Sequence, residues 1–433
     1  MNVRGATSYS DRRKELIERV KEMPQARNGG VIVLFAGFEQ SRLLFRQESS
    51  FYYYTGITEP GVVAVLNLDG SSTLWIPNCG NEREKWMTSV LTPSDEHAQK
   101  LSFTEIKHLG SQCVGYQFYP MFPRQEYEYL LAILQGYAVA KTPIFTLVPA
   151  NAKEYSEQRL LLERLKIFLP ALADIVVDIS PLVASMRRPK DFKEIEFIYK
   201  AIELTSMAQE IAAQTIAPGA LECEVQAGIE YIFTGSGARA AFPSIVASGK
   251  NGTVLHYHDN NAEIQKGDLV IVDIGAEYNY YCADITRTYP VSGTFTERQR
   301  ELYDLVLETQ EYIASIAKPG YWLSNKEHPD MSLNHLAKKY LQERGYDKYF
   351  PHGIGHYLGL DVHDVGDYAT PLRPGDVITI EPGIYIPEEG IGIRIEDDYW
   401  IVEDGAECLS EYIPKAARDI EALMQEFAAQ RKK

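Results

Sequence analysis

Apolar positions recur along this chain with two periods, one typical of helices and one typical of strands. The unbroken apolar run Val31–Phe35 predicts a buried strand. Apolar residues at helical spacing before it predict an opening helix with Ser10 as its N-cap and Pro24 as its terminator. A second helical pattern covers residues 160–169, after several short apolar runs separated by turn residues. Mixed elements of this kind indicate an α/β fold in the first part of the chain.

A stretch rich in proline and charge, residues 178–191, lies between two apolar segments. The chain of 433 residues is longer than one ordinary hydrophobic core spans. We therefore predict a domain boundary near residue 180, with an N-terminal domain of residues 1–180 and a second domain of residues 181–433.

The second domain begins with a predicted amphipathic helix. Asp191 and Glu194 have the spacing of a capping box, and Pro218–Gly219 ends the helical pattern. Further helices are predicted from Thr296 to about Ala317 and from Ser332 to about Arg344. Because these helices lie between strand-like blocks, we expect them to back a curved antiparallel sheet.

Two aspartates are spaced as if they belonged to one hairpin. Asp273 follows the apolar run of residues 269–272, and Asp284 lies eleven residues further on. A hairpin that turns at Tyr278–Asn279 would place the two carboxylates opposite each other.

Two glutamates repeat this arrangement. Glu381 ends the apolar run of residues 377–380, and the midpoint between it and Glu396 falls at Glu388–Glu389, beside turn residues. A single carboxylate at a strand end is usually solvated or paired. Four of them brought together would repel one another strongly, so we expect a cation among them.

A histidine-rich segment lies between the two predicted hairpins. His352 and His356 form a His-x-x-x-His spacing, but Gly353 and Gly355 argue against the helix that would put both imidazoles on one face. Only one of the two histidines need be a ligand. Four carboxylates and one imidazole can hold two divalent metal ions, and this donor set favours Mn2+, with Co2+ or Zn2+ as alternatives.

Three further residues are candidates for the same site. His363 and His256 lie in short segments near the predicted strands, and Arg394 lies two residues before Glu396, which puts both side chains on one face of a strand. Each has a plain structural alternative: a histidine satisfied within the fold, or an arginine in an ordinary ion pair.

Composition narrows the possible partners and location. A formal net charge of −17 repels a phosphate backbone, so we do not expect nucleic acid as a partner. No apolar stretch approaches the roughly 18 residues that a membrane helix needs, and the first residues do not resemble a secretory signal. We therefore expect no membrane association and a cytoplasmic location. The five cysteines lack CxxC spacing, which favours reduced thiols.

The candidate residues lie in sequence blocks that resemble those of the pita-bread metallopeptidases. The blocks are Asp273-Ile-Gly-Ala-Glu-Tyr278, Asp284-Ile-Thr-Arg-Thr288, His352-Gly-Ile-Gly-His356, Asp361-Val-His-Asp364, Glu381-Pro-Gly-Ile-Tyr385 and Gly392-Ile-Arg-Ile-Glu396. Upstream, residues 45–60 resemble the N-terminal domain of aminopeptidase P and of some prolidases. The resemblance implies a smaller α/β N-terminal domain followed by a pita-bread catalytic domain with a curved antiparallel sheet backed by helices.

The family has several branches, and this chain is most similar to aminopeptidase P. Methionine aminopeptidases usually lack so large an N-terminal domain. Filled ligand positions argue against the metal-free creatinases and against a non-catalytic, protein-binding relative. The short segment between Asp364 and Pro374, with Arg373 alone, argues against prolidase. The resemblance therefore implies hydrolysis of the peptide bond between an N-terminal residue and a following proline, with Xaa-Pro dipeptidase as the alternative.

The resemblance also implies a role for each residue. Asp273 would chelate one metal, His356 and Glu381 the other, while Asp284 and Glu396 bridge both and a bridging hydroxide serves as the nucleophile. Glu381 could accept the proton of that water. By the same resemblance His363 and His256 would orient the scissile region, and His352 would line the proline pocket. The substrates would be peptides with proline in the second position, and relatives are commonly dimers or tetramers.

Overall fold

The computed structural model describes residues 7–40, 42–80, 83–88, 91–149 and 155–431. The chain divides into two compact units, Thr7–Arg187 and Arg188–Lys433. The boundary that the sequence places near residue 180 remains a prediction.

The first unit is built on a six-stranded mixed sheet. The strands are β1 Val31–Phe35, β2 Val63–Asn67, β3 Ser72–Ile76, β4 Glu105–His108, β5 Ile144–Thr146 and β6 Val176–Asp178. Their order in the sheet is β4-β3-β2-β1-β5-β6, and β1 pairs antiparallel with β2 and parallel with β5. The helices are α1 Tyr9–Lys21, α2 Ser49–Thr55, α3 Asp95–Leu101, α4 Glu128–Ala140, α5 Ser156–Phe168 and α6 Ser180–Arg187.

Local sequence explains most of these elements, with one correction. Strand β1 is the predicted apolar run, and it is buried along its whole length. The opening helix is also present, but Ser10 is not its cap. The side chain of Ser8 accepts a hydrogen bond from the backbone N–H of Asp11 instead, so α1 begins at Tyr9. Either serine fits an N-cap, and the sequence pattern alone does not choose between them.

The second unit combines antiparallel strand pairs with long helices. Its helices are α7 Phe192–Thr215, α8 Glu222–Gly235, α9 Glu297–Ile316, α10 Leu333–Gln342 and α11 Ala417–Gln430. Its strands are β7 Arg239–Ala240, β8 Ile245–Ser248, β9 Leu269–Ile274, β10 Ala276–Tyr278, β11 Tyr281–Cys282, β12 Ile285–Pro290, β13 Val377–Ile380, β14 Gly383–Ile386, β15 Ile391–Arg394, β16 Asp397–Ile401 and β17 Ala406–Cys408. Among the described residues, every helix is too short or too polar to cross a lipid bilayer.

The predicted capping box of the second unit is present, and the helices predicted to start at Thr296 and Ser332 are found there. Asp191 and Glu194 form the capping box of α7, and Thr296 caps α9 by accepting a hydrogen bond from the backbone N–H of Gln299. Helix α10 follows Ser332 as predicted, although it ends at Gln342, two residues before the expected end.

The first hairpin differs from the predicted register by two residues. Tyr278 pairs with Tyr281, so the turn is Asn279–Tyr280, and both turn residues have positive φ, 48° and 72°. Asp273 therefore faces Thr286 rather than Asp284. Because the shift is an even number of residues, the two aspartates still point to the same face of the sheet, as diagonal neighbours.

The second hairpin has the predicted register. Ile380 faces Asp397 and Gly383 faces Arg394, so the pairing continues through Glu381 and Glu396, which face each other. Neither glutamate belongs to a strand, because the ladder is interrupted there. The interruption leaves backbone groups that need other partners.

Buried glutamines on two helices supply such partners. Gln310 of α9 donates to the carbonyl oxygens of Ile380 (3.0 Å) and Ile395 (3.3 Å), next to the interruption. Gln209 of α7 does the same at the first hairpin, where it donates to the carbonyl oxygens of Val272 and Ile285. Each helix therefore holds the two strands of one carboxylate hairpin together.

We expect Gln310→Met to destabilise the protein by about 2–4 kcal/mol, because methionine would remove two buried hydrogen bonds to the carbonyl oxygens of Ile380 and Ile395. Urea unfolding measures the change. Gln342→Met is the matched control, since Gln342 is exposed on α10, and it should change the free energy of unfolding by less than about 0.5 kcal/mol. Equal effects of the two substitutions would contradict the bridging role of Gln310.

Candidate metal centre

Three ligand-type residues converge from three separate parts of the second unit. Asp284, His356 and Glu396 each offer one ligand atom, and these atoms lie within 4.8 Å of one another. Asp284 follows β11, Glu396 lies between β15 and β16, and His356 comes from the loop before β13. The side chains of Asp284 and Glu396 are buried, with residue exposures of 5% and 2%.

Backbone pairing fixes the position of His356. Its N–H donates to Thr379 Oγ1 at 3.1 Å, and the Thr379 N–H donates to its carbonyl oxygen at 2.9 Å. Gly355 makes this approach possible, because a Cβ there would collide with the Thr379 carbonyl oxygen. The segment is not helical, as the two glycines predicted.

The orientation of the His356 ring directs one nitrogen at two carboxylates. Nδ1 lies 3.1 Å from the Tyr357 carbonyl oxygen, which assigns its proton to that side of the ring. Nε2 then lies 3.4 Å from Asp284 Oδ2 and 3.6 Å from Glu381 Oε1. Nε2 is therefore the ring nitrogen that can ligate a metal ion.

Asp273 is held on the other side of the group by Arg394. The Arg394 guanidinium donates to Asp273 Oδ2 at 2.6 Å and to the Tyr385 hydroxyl at 2.9 Å. The Tyr385 hydroxyl in turn lies 2.9 Å from His352 Nε2, while His352 Nδ1 lies 2.8 Å from the Gly353 carbonyl oxygen. One proton assignment satisfies the whole series: Arg394 donates to Tyr385, and Tyr385 donates to a neutral His352.

Burial and mutual repulsion dominate the electrostatics of the carboxyl groups. Burial raises the pKa of Asp284 and of Glu396 well above the usual carboxyl range, and repulsion from neighbouring carboxylates of the group raises both further. Burial also raises the pKa of Glu381. Desolvation, followed by the charge of Arg394, lowers the pKa of His352 to about 4, which keeps this ring neutral.

Unpartnered oxygens show that the residues fit bound cations. Asp273 Oδ1 and Asp284 Oδ1 are buried and have no hydrogen-bond partner among the described residues. Buried carboxylate oxygens without donors are costly, and a divalent cation removes that cost. Together with the raised pKa values, these oxygens support the expectation of metal ions at this position.

The remaining predicted histidines lie at the edge of the group. The ring of His363 packs edge-on against that of His356, with ring centroids 4.3 Å apart. Burial lowers the pKa of His363 to about 4, and the charges of His356 and His256 lower it further. His256 is an exposed residue of the segment between β8 and β9. Its neighbours Leu255 and Tyr257 pack against the buried cluster that contains Tyr385.

Sequence reasoning assigned no role to Tyr385 or Thr286. Tyr385 joins Arg394 to His352, and Thr286 Oγ1 donates to Glu396 Oε2 at 2.7 Å. Both lie at even spacing from a predicted ligand, Tyr385 four residues after Glu381 and Thr286 two after Asp284. Alternate residues of a strand point to the same face, which is the reasoning that identified Arg394 as a candidate. The same reasoning would have identified Tyr385 and Thr286.

Comparison with known proteins gives two family matches. The model of metallopeptidase family M24 matches residues 196–403, and that of the aminopeptidase P N-terminal domain matches residues 9–111. The Xaa-Pro aminopeptidase of Escherichia coli is 34% identical and covers 96% of this chain and 97% of its own length. The Xaa-Pro dipeptidase of Pyrococcus furiosus is 42% identical over 54% of this chain and 66% of its own length.

Solved structures agree with these matches. Aminopeptidase P from Escherichia coli with the inhibitor Pro-Leu superposes with a TM-score of 0.79 at 30% identity, covering 99% of this chain and 100% of that structure. The predicted fold class, an α/β N-terminal domain followed by a pita-bread domain, is confirmed by this similarity.

We expect Asp284→Asn to stabilise the metal-free protein at pH 8. The folded protein holds the pKa of Asp284 above the value of about 4 that this group has in the unfolded chain. The folded protein therefore binds more protons than the unfolded chain above about pH 4. Its free energy of unfolding without metal falls as the pH rises through this range. An amide does not titrate and removes this loss. Melting temperature after chelator treatment measures the effect, at about 2–4 °C for each kcal/mol.

The control for this experiment is Asp330→Asn, an exposed aspartate outside the group, which should leave the melting temperature unchanged. Added divalent metal should raise the melting temperature of the parent protein and of this control, and should raise that of Asp284→Asn much less. A metal-free Asp284→Asn protein that melts below the parent at pH 8 would refute the electrostatic account.

Proposed function

The chain belongs to metallopeptidase family M24, and on that premise we propose that it is an Xaa-Pro aminopeptidase, which hydrolyses the peptide bond between an N-terminal residue and a following proline. The family membership rests on relatives that match over nearly the whole chain. The observation that carries the proposal within this chain is the convergence of Asp284, His356 and Glu396, with Glu381 and Asp273 beside them.

We propose that five residues hold two divalent metal ions. Asp273 would bind one ion, His356 and Glu381 the other, and Asp284 and Glu396 both. Oxygen donors with a single imidazole favour Mn2+, while Co2+ and Zn2+ also suit this set. When bound, the ions would make water acidic enough to attack near neutral pH and would polarise the scissile carbonyl.

The protein residues around the metals would handle protons and position the substrate. Glu381 lies 3.6 Å from His356 Nε2 and is accessible enough, with 18% of its side chain exposed, to accept a proton from an attacking water. The neutral ring of His352 would line the pocket for proline without adding a charge. His363 and His256 would orient the scissile peptide from the exposed edge of the site.

The acidic surroundings also suit the free amino group of a peptide. Four carboxyl groups share one guanidinium, so the site favours a positively charged partner such as the amino group of a peptide. A proline in the second position has a rigid ring and a tertiary amide, which a small apolar pocket selects over other residues. We further propose a homo-oligomer, dimeric or tetrameric, that acts on peptides in the cytoplasm and binds neither nucleic acid nor membrane.

A second candidate function is Xaa-Pro dipeptidase. One observation favours it: the dipeptidase of Pyrococcus furiosus is 42% identical, although over only 54% of this chain. The two activities differ in whether a residue follows the proline. A dipeptidase has to bind the carboxylate of the proline itself, whereas an aminopeptidase has to accommodate a continuing chain.

We expect an Xaa-Pro-Yaa tripeptide to be cleaved at least about 10-fold faster, as kcat/KM, than the corresponding Xaa-Pro dipeptide in the presence of added Mn2+. This factor corresponds to about 1.4 kcal/mol of transition-state binding to the residue after proline. A coupled assay for the released N-terminal amino acid measures both rates. Cleavage of the dipeptide alone would replace the aminopeptidase proposal with the dipeptidase.

We expect Arg394→Lys to weaken metal binding by about 10–100-fold. A lysine ammonium is a single point donor and cannot reach both Asp273 and Tyr385 as the planar guanidinium does. Titration with Mn2+ in a metal buffer measures the affinity. Arg298→Lys, in an exposed ion pair with Glu389, is the matched control and should bind Mn2+ like the parent. An unchanged affinity in Arg394→Lys would disprove the positioning role of the arginine.

A further inference from the structure

A buried glutamate outside the metal group accepts an unusual set of hydrogen bonds. Glu222, the first residue of α8, has a solvent exposure of 0%. One carboxylate oxygen accepts from the Ser248 N–H, the Ser248 hydroxyl and the Asn251 side chain, at 2.8, 2.7 and 3.2 Å. The other accepts from the Tyr257 hydroxyl at 2.8 Å and from the Ala262 N–H at 2.9 Å.

All five donors are neutral and come from one segment of chain, residues 248–262. Among the described residues, no cationic side chain pairs with Glu222. A buried carboxylate without a counter-charge is costly unless hydrogen bonds satisfy it, and these five do so with help from the amino-terminal end of α8. The carboxylate therefore ties a loop of about fifteen residues to a rigid helix.

A second anchor holds the same segment near its end. Asn260 is buried in the left-handed region, at φ 43°. Its side-chain oxygen accepts from the Val246 N–H at 3.0 Å, and its amide donates to the Ser244 carbonyl oxygen at 2.7 Å and to Gln226 of α8 at 3.0 Å. Both anchors thus attach the segment to α8 and to β8.

Between these anchors lies His256. Its neighbours Leu255 and Tyr257 pack against a buried cluster that contains Ile271 and Tyr385. The ring of His256 is exposed, and no described residue forms a hydrogen bond with it. Because the Tyr385 hydroxyl contacts both Arg394 and His352, this packing places the segment that carries His256 beside the metal group. The direction of His256 is therefore set by the anchored residues on either side of it.

We propose that Glu222 is a positioning residue, which orients His256 toward the substrate through its hydrogen bond with Tyr257. This inference rests on the proposed role of His256 in peptide hydrolysis. Glu222 itself touches neither substrate nor metal. It acts by removing the freedom of the loop, so that His256 is already in place when the peptide binds.

A double-mutant cycle tests the proposal. Tyr257→Phe removes one of the five donors and keeps the packing of the ring, so we expect kcat/KM to fall about 5-fold with unchanged Mn2+ affinity. Glu222→Gln turns an acceptor into a donor facing other donors, and we expect a loss of up to about 100-fold. In the His256→Ala background, neither substitution should cause any further loss. Tyr231→Phe, at an exposed tyrosine of α8, is the matched control and should leave kcat/KM unchanged.

The possible results distinguish a failure of the proposed function from a failure of the positioning role of Glu222. A parent protein that does not cleave Xaa-Pro peptides would overturn the proposed function. If the parent is active, losses from Tyr257→Phe that persist in full in the His256→Ala background would overturn the positioning role. So would a His256→Ala protein with parental kcat/KM. If Glu222→Gln does not fold, the cycle with Tyr257→Phe alone decides, because that variant removes only one hydroxyl.

Discussion

Repulsion among carboxyl groups in a dry environment is the constraint on which the rest of the second unit depends. Asp284 and Glu396 are buried, and they repel each other and Asp273. Without cations such a group is costly, since each ionised carboxylate raises the free energy needed to ionise the next one. One guanidinium, that of Arg394, is present to balance them. The centre is therefore suited to divalent ions, whose positive charge would offset this electrostatic cost.

The scaffold has to hold these groups close together although they repel, and it does so through the backbone. Each pair of carboxylates lies on the two arms of a hairpin, whose register is fixed by the strand ladder. The ladder is broken beside Glu381 and Glu396, and the buried amide of Gln310 bonds the carbonyl oxygens next to the break. Helices α7 and α9 therefore fix the strand positions in addition to packing an apolar face on the sheet. Their buried side chains Gln209 and Gln310 form hydrogen bonds with the strand backbone.

The sequence predicted the parts of this arrangement that follow from local rules. The register of the glutamate hairpin was predictable because its turn lies at the midpoint of the pair. The aspartate hairpin was not, since its turn is set by two residues with positive φ, Asn279 and Tyr280, and tyrosine gives no signal for that conformation. The buried partners were also missed. A glutamine on a helix or a glutamate at a helix start is usually solvent-exposed, and only three-dimensional packing shows that Gln310 and Glu222 are not.

The histidines have to be held in position by other means than the carboxylates, because they lie on loops rather than on paired strands. Both loops are held by a buried carboxylate close to the histidine. Asp364 follows His363 and forms an ion pair with Lys190 at 2.9 Å, with both side chains 1% exposed. On the other loop, Glu222 accepts its five hydrogen bonds from neutral donors. Hydrogen bonds from neutral donors therefore fix the loop that carries His256, whereas a buried ion pair fixes the loop that carries His363. In both loops a buried carboxylate that does not bind metal replaces the strand pairing that positions the acidic ligands.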